Sequence, residues 1–175
     1  AARTVTTRSR RAVPYDTLVL ATGSYAAKVA VDGADLPGCF VYRTIDDVQR
    51  LEDFVERRAL MLGRPLRGAV IGGGLLGLEA AGALQGMDVE PMVIQYSDRL
   101  MSAQLDPAGG RMLQRLLEAR GISVRTQSRT TRLDPDPSGA VTALEFQDGS
   151  VERADVVVFT VGVRPRDELA RNAEM

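Results

Sequence analysis

The chain has 175 residues, room for one full domain or for one domain with pieces of another. Hydrophobic residues make up 45% of it, which excludes a disordered chain, and a formal net charge of −1 excludes a global field recruiting nucleic acid or an anionic membrane. Histidine is absent and Cys39 is the single cysteine, so neither a C-x-x-C redox pair nor a Cys/His zinc site can be built.

The opening residues 1–11 are basic and acid-free, as in a targeting leader, but Pro14, Tyr15 and Asp16 interrupt any apolar core. No run approaches the roughly 18 apolar residues of a membrane helix. A cytoplasmic protein without membrane attachment is the expectation, because nothing in the cysteine usage asks for an oxidising compartment. Residues 15–21 read as a short buried strand running into Thr22-Gly23-Ser24. Residues 31–40 carry Gly and Pro punctuation and read as a loop crossing, with Cys39 as a loop or packing thiol rather than a nucleophile, since no histidine exists to serve as its base. Thr44 caps a helix predicted from Ile45 to about Arg58. Asp46 and Asp47 lie in its first turn, where the dipole favours them, and Val48, Leu51, Phe54 and Val55 share one face.

Next comes Arg67-Gly-Ala-Val-Ile-Gly-Gly-Gly-Leu-Leu-Gly-Leu-Glu-Ala-Ala81. A short apolar run enters glycines spaced G-x-G-x-x-G at Gly72, Gly74 and Gly77, and an alanine- and leucine-rich helix follows to Gly86. In a strand–turn–helix that holds a dinucleotide, the first glycine permits the tight turn. The second lets backbone approach a pyrophosphate, and the third lets helix and strand lie close. The helix N-terminus adds free N–H groups and a positive dipole end. With 17 glycines in the chain the bare spacing is a weak signal, and the flanking strand and helix strengthen it. The bland alternative is a glycine-rich turn with no ligand.

Residues 92–94 read as a second core strand. Asp106-Pro107 opens a further helix with an aspartate cap and proline at the first helical position; Met112, Leu113, Leu116 and Leu117 form its expected buried stripe, and Gly121 its stop. Residues 122–124 read as a third strand. From 130 to 153, turn signals at 134–139 and Asp148-Gly149 separate short β-like runs, a β-meander in place of a crossover helix. Residues 155–160 are apolar throughout, as in a central parallel strand, and end in Val161-Gly162-Val163-Arg164-Pro165. The order β-α-β-α-β, meander, β makes a Rossmann-type unit over about residues 64–161.

Three phrases together resemble the pyridine nucleotide-disulfide oxidoreductase superfamily, flavoproteins with two dinucleotide-binding domains. Tyr15-Asp-Thr-Leu-Val-Leu-Ala-Thr-Gly-Ser24 is similar to its strand ending in an A-T-G turn beside FAD. Val70-Ile-Gly-Gly-Gly-Leu-Leu-Gly-Leu-Glu-Ala80 is similar to its NAD(P)-binding turn. Asp155-Val-Val-Val-Phe-Thr-Val-Gly-Val-Arg-Pro165 is similar to the strand and turn that return the chain to the FAD domain. Within it, 74–81, Gly86-Met-Asp-Val89 and Gln104-Leu-Asp-Pro-Ala108 look most like the flavin-bearing N-terminal part of assimilatory NAD(P)H nitrite reductase large subunits; ferredoxin and rubredoxin reductases share most of the pattern. The first glycine-rich turn for FAD and the downstream Gly-Asp segment have no counterpart, so the chain reads as an internal fragment.

The resemblance implies an α/β fold: a three-layer NAD(P)-binding Rossmann domain with β-meander, flanked by partial FAD-domain segments. Its expected divisions are 1–30 (FAD-domain segment), 31–63 (linker and leading helix), 64–161 (NAD(P)-binding domain) and 162–175 (start of the return). The activity implied is hydride transfer from NAD(P)H to FAD in the intact parent, feeding a downstream acceptor such as nitrite, with the isolated chain inactive. A stand-alone nucleotide-binding module is the competing reading. On the nicotinamide side the site residues are Gly72, Gly73, Gly74, Leu75, Leu76, Gly77, Glu79, Gln95 and Gly162; on the FAD side they are Ala21, Thr22, Gly23, Arg43 and Pro165. No metal ligand and no acid–base dyad is called for. Glu79 reads either as a residue near the nicotinamide or as a carboxylate drawn to the helix N-terminus. Gln95 stands where Asp or Glu selects NAD by its ribose, which leaves NADH and NADPH both admissible; Arg99 reads as a phosphate contact or as a solvated side chain. Partners are the nicotinamide dinucleotide, the rest of the FAD domain and an unknown redox acceptor, with self-association of the fragment through its unpaired 15–21 strand.

Overall fold

The structure is a computed structural model that describes residues 3–174. In chain order it begins with β1 (Thr4–Thr6), β2 (Ala12–Pro14), β3 (Ser24–Ala26), β4 (Cys39–Val41) and α1 (Ile45–Leu62). The strand–helix alternation follows as β5 (Leu66–Ile71), α2 (Leu75–Gly86), β6 (Val89–Ile94), α3 (Pro107–Glu118) and β7 (Ser123–Arg125). The chain continues with β8 (Thr130–Pro135), β9 (Val141–Phe146), β10 (Val151–Arg153), β11 (Val156–Phe159), β12 (Val163–Pro165) and α4 (Glu168–Asn172). Residues 26–163 make one compact unit, and the residues up to Tyr25 with those from Arg164 onward make another.

In the larger unit five parallel strands are ordered β4-β11-β5-β6-β7. Strand β5 is central, and the chain leaves it through α2 towards β6 while β11 lies on its other side. That reversal falls between β5 and β11, and the carboxyl ends of strands at such a reversal are the usual ligand position in an open α/β sheet. Both sheet faces are buried at the centre, where β11 is apolar and buried along its whole length and β5 is exposed only at Arg67. On one face Val70, Val93, Val156 and Val158 pack with Leu51 and Val55 of α1 and with Ala80, Ala81 and Leu84 of α2. On the other, Ala69, Ile71, Val157 and Phe159 pack with Leu133, Leu144 and Phe146 of the antiparallel β8-β9-β10 meander. The alternation of period two along β5 and β11 thus divides helices from meander and builds the three layers.

Local signals set most boundaries. The Thr44 hydroxyl accepts the Asp47 N–H at 3.2 Å while the Asp47 carboxylate accepts the Thr44 N–H at 2.9 Å, a capping box that starts α1 at Ile45. The helix runs on to Leu62, beyond the Arg58 expected, because the first residue able to stop it is Gly63 at φ 61°, whose N–H closes on the Ala59 carbonyl. Asp106 accepts the Gly109 N–H at 2.7 Å and Pro107 takes the first helical position of α3, as the sequence indicates. Arg58 of α1 is buried and bonds Asp136 and Ser138 in the β8–β9 turn, tying the helical layer to the meander layer. The Ser138 hydroxyl and the Arg58 guanidinium hold the Asp136 carboxyl far below its ordinary pKa.

Three expectations are corrected. Residues 15–21 form no strand, and Val19 is 79% exposed; an apolar run becomes a strand only through a hydrogen-bonded neighbour, and among the described residues the segment's backbone bonding stops at Tyr15, whose N–H donates to the Arg3 carbonyl at 3.0 Å. Residues 31–40 are not loop alone, since Cys39 and Phe40 enter β4, the edge strand beside β11. The α3 stripe is buried only at Leu117, with Leu113 half-buried, while Met112 and Leu116 are 52% and 49% exposed. The helix lies over the edge strand β7, and half of its apolar face meets no second layer.

A buried polar anchor directly precedes β11. Asp155 is buried, takes both terminal nitrogens of Arg64 at 2.9 and 2.8 Å, and accepts the Arg67 N–H at 2.9 Å. Burial alone would raise its pKa; the Arg64 and Arg67 bonds outweigh burial and hold it below 3.8. Asp155→Ala is expected to lower the unfolding free energy by about 2 kcal/mol in urea titrations, since it orphans the Arg67 N–H and a guanidinium. With the folded pKa depressed, the contribution is present above the unfolded pKa and is lost as pH falls through the folded one. The urea midpoint should therefore drop less between pH 5 and pH 3 in Asp155→Asn than in the unmodified chain; an equal drop would contradict the assignment.

Candidate functional site

The turn from β5 into α2 lies at the carboxyl end of the central strand, and each glycine in it answers to a different neighbour. Gly72 adopts φ 119°, and a Cβ there would stand 2.7 Å from the Thr160 carbonyl oxygen. A Cβ on Gly77 would run into the Gly72 carbonyl oxygen, so the first turn of α2 rests directly on the turn that precedes it. A Cβ on Gly73 would meet Leu100 Cδ2 at 2.5 Å and Gln95 Cβ at 3.1 Å. Gly74 differs: a Cβ there meets nothing within 4 Å. Packing explains three of the four glycines, and the fourth faces open space.

The backbone donors divide the same way. The Gly72 N–H goes to the Ile94 carbonyl at 2.9 Å and the Gly73 N–H to Gln95 Oε1 at 2.7 Å. Neither is available to a ligand, so of the residues expected on the nicotinamide side Gly72 and Gly73 have no free amide to offer. Among the described residues none accepts from the N–H groups of Gly74, Leu75 or Leu76. Gly74 is the N-cap of α2 and contributes no capping side chain. Three unpaired donors and the positive end of a 12-residue helix thus converge beside the open Cβ position of Gly74. Leu75 is 64% exposed and Leu76 half-buried, so each can offer its backbone amide without burying its side chain.

Glu79 is exposed and lies in the second turn of α2, whose first turn holds no acid, so the dipole reading of this carboxylate is weakened. Gln95, at the end of β6, is fully engaged: Oε1 accepts from Gly73 and Nε2 donates to Ser97 Oγ, which donates in turn to the Arg99 carbonyl at 3.0 Å. Arg99 is neither a free phosphate contact nor a solvated side chain. It bonds the Leu105 carbonyl, Asp98 and the Ser102 carbonyl, and its stem underlies Gly110.

Sequence reasoning missed Thr160. It is 9% exposed, its Oγ1 lies 2.9 Å from the Gly72 carbonyl oxygen and 3.1 Å from that of Ile71, and its N–H donates to Ile71. The signal present was a polar residue closing an otherwise apolar strand. Leu100, fully buried under Gly73, was missed as well; Met101 N–H donates to the Gly73 carbonyl at 2.9 Å.

Gly162 follows at φ 98°, exposed, with its carbonyl accepting the Ala27 N–H. In the smaller unit Ala21, Thr22, Gly23 and Pro165 are all exposed. The Thr22 hydroxyl and the Gly23 carbonyl bond the backbone of Arg166. Arg43 belongs to the larger unit and is exposed. Each of these FAD-side residues is open to solvent. Burial pushes the Cys39 thiol up to about 12, in keeping with a packing role.

The profile of the family described as pyridine nucleotide-disulphide oxidoreductase matches residues 1–175. The chain is 44% identical over 160 residues to the nitrite reductase (NADH) large subunit of Escherichia coli K12, covering 91% of this chain and 18% of that protein. To the assimilatory nitrate reductase electron transfer subunit of Bacillus subtilis 168 it is 39% identical over 171 residues, covering 97% and 21%. Among solved structures it resembles the ferredoxin reductase for the CYP199A2 system of Rhodopseudomonas palustris, at a TM-score of 0.83 and 30% identity, covering 99% of this chain and 41% of that one. The chain spans about a fifth of the length of these two curated relatives.

The contrast between two glycines is testable by stability alone. Gly77→Ala is expected to lower the unfolding free energy by about 2 kcal/mol or more, because the Gly72 carbonyl must shift. Gly74→Ala should cost less than about 1 kcal/mol in the same urea titration. Equal costs would contradict the geometry.

Proposed function

The chain belongs to the pyridine nucleotide-disulphide oxidoreductase family, and on that premise we propose that it is the nicotinamide-dinucleotide-binding section of a flavin-dependent NAD(P)H oxidoreductase. The observation that carries the reading is the open space at Gly74 bounded by the unpaired N–H groups of Gly74, Leu75 and Leu76. A pyrophosphate supplies the anionic oxygens those donors lack, and the reversal of strand order between β5 and β11 marks the sheet edge where the rest of a dinucleotide lies in folds of this kind. We assign the division of the chain as 1–30, 31–63, 64–161 and 162–175, with 64–161 holding the dinucleotide.

When bound, the dinucleotide supplies hydride chemistry to the flavin of the whole enzyme. What this chain does is bind and orient: Gly74, Leu75 and Leu76 receive the pyrophosphate through backbone amides, while Gly72, Gly73 and Gly77 hold the turn that aims them. Glu79 stands one helical turn beyond and is assigned to the nicotinamide end. The flavin site is assigned to the remainder of the parent, to which Ala21, Thr22, Gly23, Arg43 and Pro165 contribute.

Nitrite is the terminal acceptor we assign to the parent, on the strength of the nitrite reductase relatives, with nitrate assimilation as its setting and the cytoplasm as its place. The likeness to a ferredoxin reductase supports a second reading, an electron-carrier protein as acceptor. Assay of the complete parent for NADH-dependent nitrite consumption separates the two.

The purified chain is expected to be colourless and to bind NADH, followed by the nucleotide's fluorescence. Gly74→Ala, with its fold intact, should bind at least about tenfold more weakly, since its methyl enters the space reserved for phosphate. Unchanged affinity in that variant would remove the basis of the assignment. In size-exclusion chromatography with light scattering, the exposed Val19 and Leu20 should make the chain associate; Val19→Ser with Leu20→Ser should return it to monomer.

A further inference from the structure

Gly72 C=O and Gly73 N–H belong to one peptide unit, and a different side chain holds each end. The carbonyl lies 2.9 Å from the Thr160 hydroxyl, nearer than the Ile71 carbonyl at 3.1 Å that the same hydroxyl reaches, and the N–H donates to Gln95 Oε1 at 2.7 Å. Thr160 directly follows β11, and Gln95 directly follows β6, the two strands that flank β5 in the sheet. Both ties span the sequence, 88 residues in one case and 22 in the other. Among the described residues the Thr160 hydroxyl is the one donor to the Gly72 carbonyl. Without it a backbone acceptor beside Gly77 is left unpaired in a place a Cβ cannot share. Gln95 is held in turn by Ser97, so its carbonyl end is fixed towards the turn rather than free to swing.

We propose that Thr160 and Gln95 are positioning residues that clamp the Gly72–Gly73 peptide from both sides and thereby aim the Gly74, Leu75 and Leu76 amides at the dinucleotide's pyrophosphate. The inference rests on the proposed function and deepens it. Glycine at 72 and 73 makes this peptide free to rotate about its flanking bonds, because neither residue has a Cβ to restrict φ and ψ. Rotation of the plane swings the Gly74 N–H, the next donor along the chain. Holding one end alone leaves a hinge; holding both fixes the plane. Gln95 therefore acts through the turn and spends both ends of its amide there, rather than reading the adenosine ribose.

The test compares NADH affinity with thermal stability in the full chain and in Thr160→Val, Thr160→Ser, Gln95→Leu and the Thr160→Val/Gln95→Leu double variant. Thr160→Val and Gln95→Leu should each weaken NADH binding about tenfold, and Thr160→Ser, which keeps the hydroxyl, should stay within about twofold of the unmodified chain. Because either loss frees the same plane, the double variant should be weaker by about 10–30-fold rather than the hundredfold of independent effects. A role in stability alone would move the melting midpoint and leave the affinity untouched. Folded Thr160→Val binding NADH like the unmodified chain overturns the proposal. If Thr160→Val does not fold, Gln95→Leu decides by the same criterion, a tenfold loss supporting the clamp and unchanged affinity overturning it. Should the unmodified chain itself fail to bind NADH, the proposed function falls and the clamp falls with it; binding by the unmodified chain with unaffected variants sinks the clamp alone.

Discussion

The close approach of Gly77 to the Gly72 carbonyl is the constraint from which the rest of the site follows. It brings the first turn of α2 onto the end of β5, closer than any side chain would allow. A helix started there cannot cap itself with its own N-cap side chain, because glycine has none, and its first donors are left facing outward. The same closeness brings the Gly72 carbonyl against α2, and Thr160 supplies its donor. Tight packing and open donors are therefore two results of one contact.

The sheet exists to hold that contact still. Strand β5 is flanked on both sides by parallel neighbours whose ends reach the turn: Ile94 closing β6 and Gln95 after it, and Thr160 after β11. Leu100, buried beneath Gly73, and the Met101 N–H close it from below. At the opposite end of β11, Asp155 bonds the backbone of Arg67 and the side chain of Arg64, which fixes the register of β11 against β5. Register matters because a slip of one residue would turn Thr160 away from the turn and place its neighbour there.

Much of this was written locally in the chain. The G-x-G-x-x-G spacing, the Thr44 and Asp106 caps and the apolar runs of β5, β6 and β11 are short-range signals, and they placed the three layers and the turn correctly. What failed were statements that depend on a distant neighbour. Residues 15–21 have the composition of a strand, but pairing decides strands. Met112 and Leu116 carry helical periodicity, but what lies against α3 decides burial. Gln95 was legible as a strand-end residue, whereas its bond to Gly73 depends on how β6 and β5 align. Thr160 gave no signal beyond its polarity, because its partner lies 88 residues earlier. Gly73 lies against Leu100 and Gln95, two neighbours that the local sequence does not reveal.

Backbone amide resonances followed during titration of the folded chain with NADH put the central idea to the most direct test. A clamped turn that presents its next amides to a pyrophosphate predicts large shifts at Gly74, Leu75 and Leu76, with Gly73 moving little because Gln95 holds its N–H. Resonances of Gly74–Leu76 that stay in place up to about 1 mM NADH, an affinity below which binding carries only some 4 kcal/mol, would contradict it.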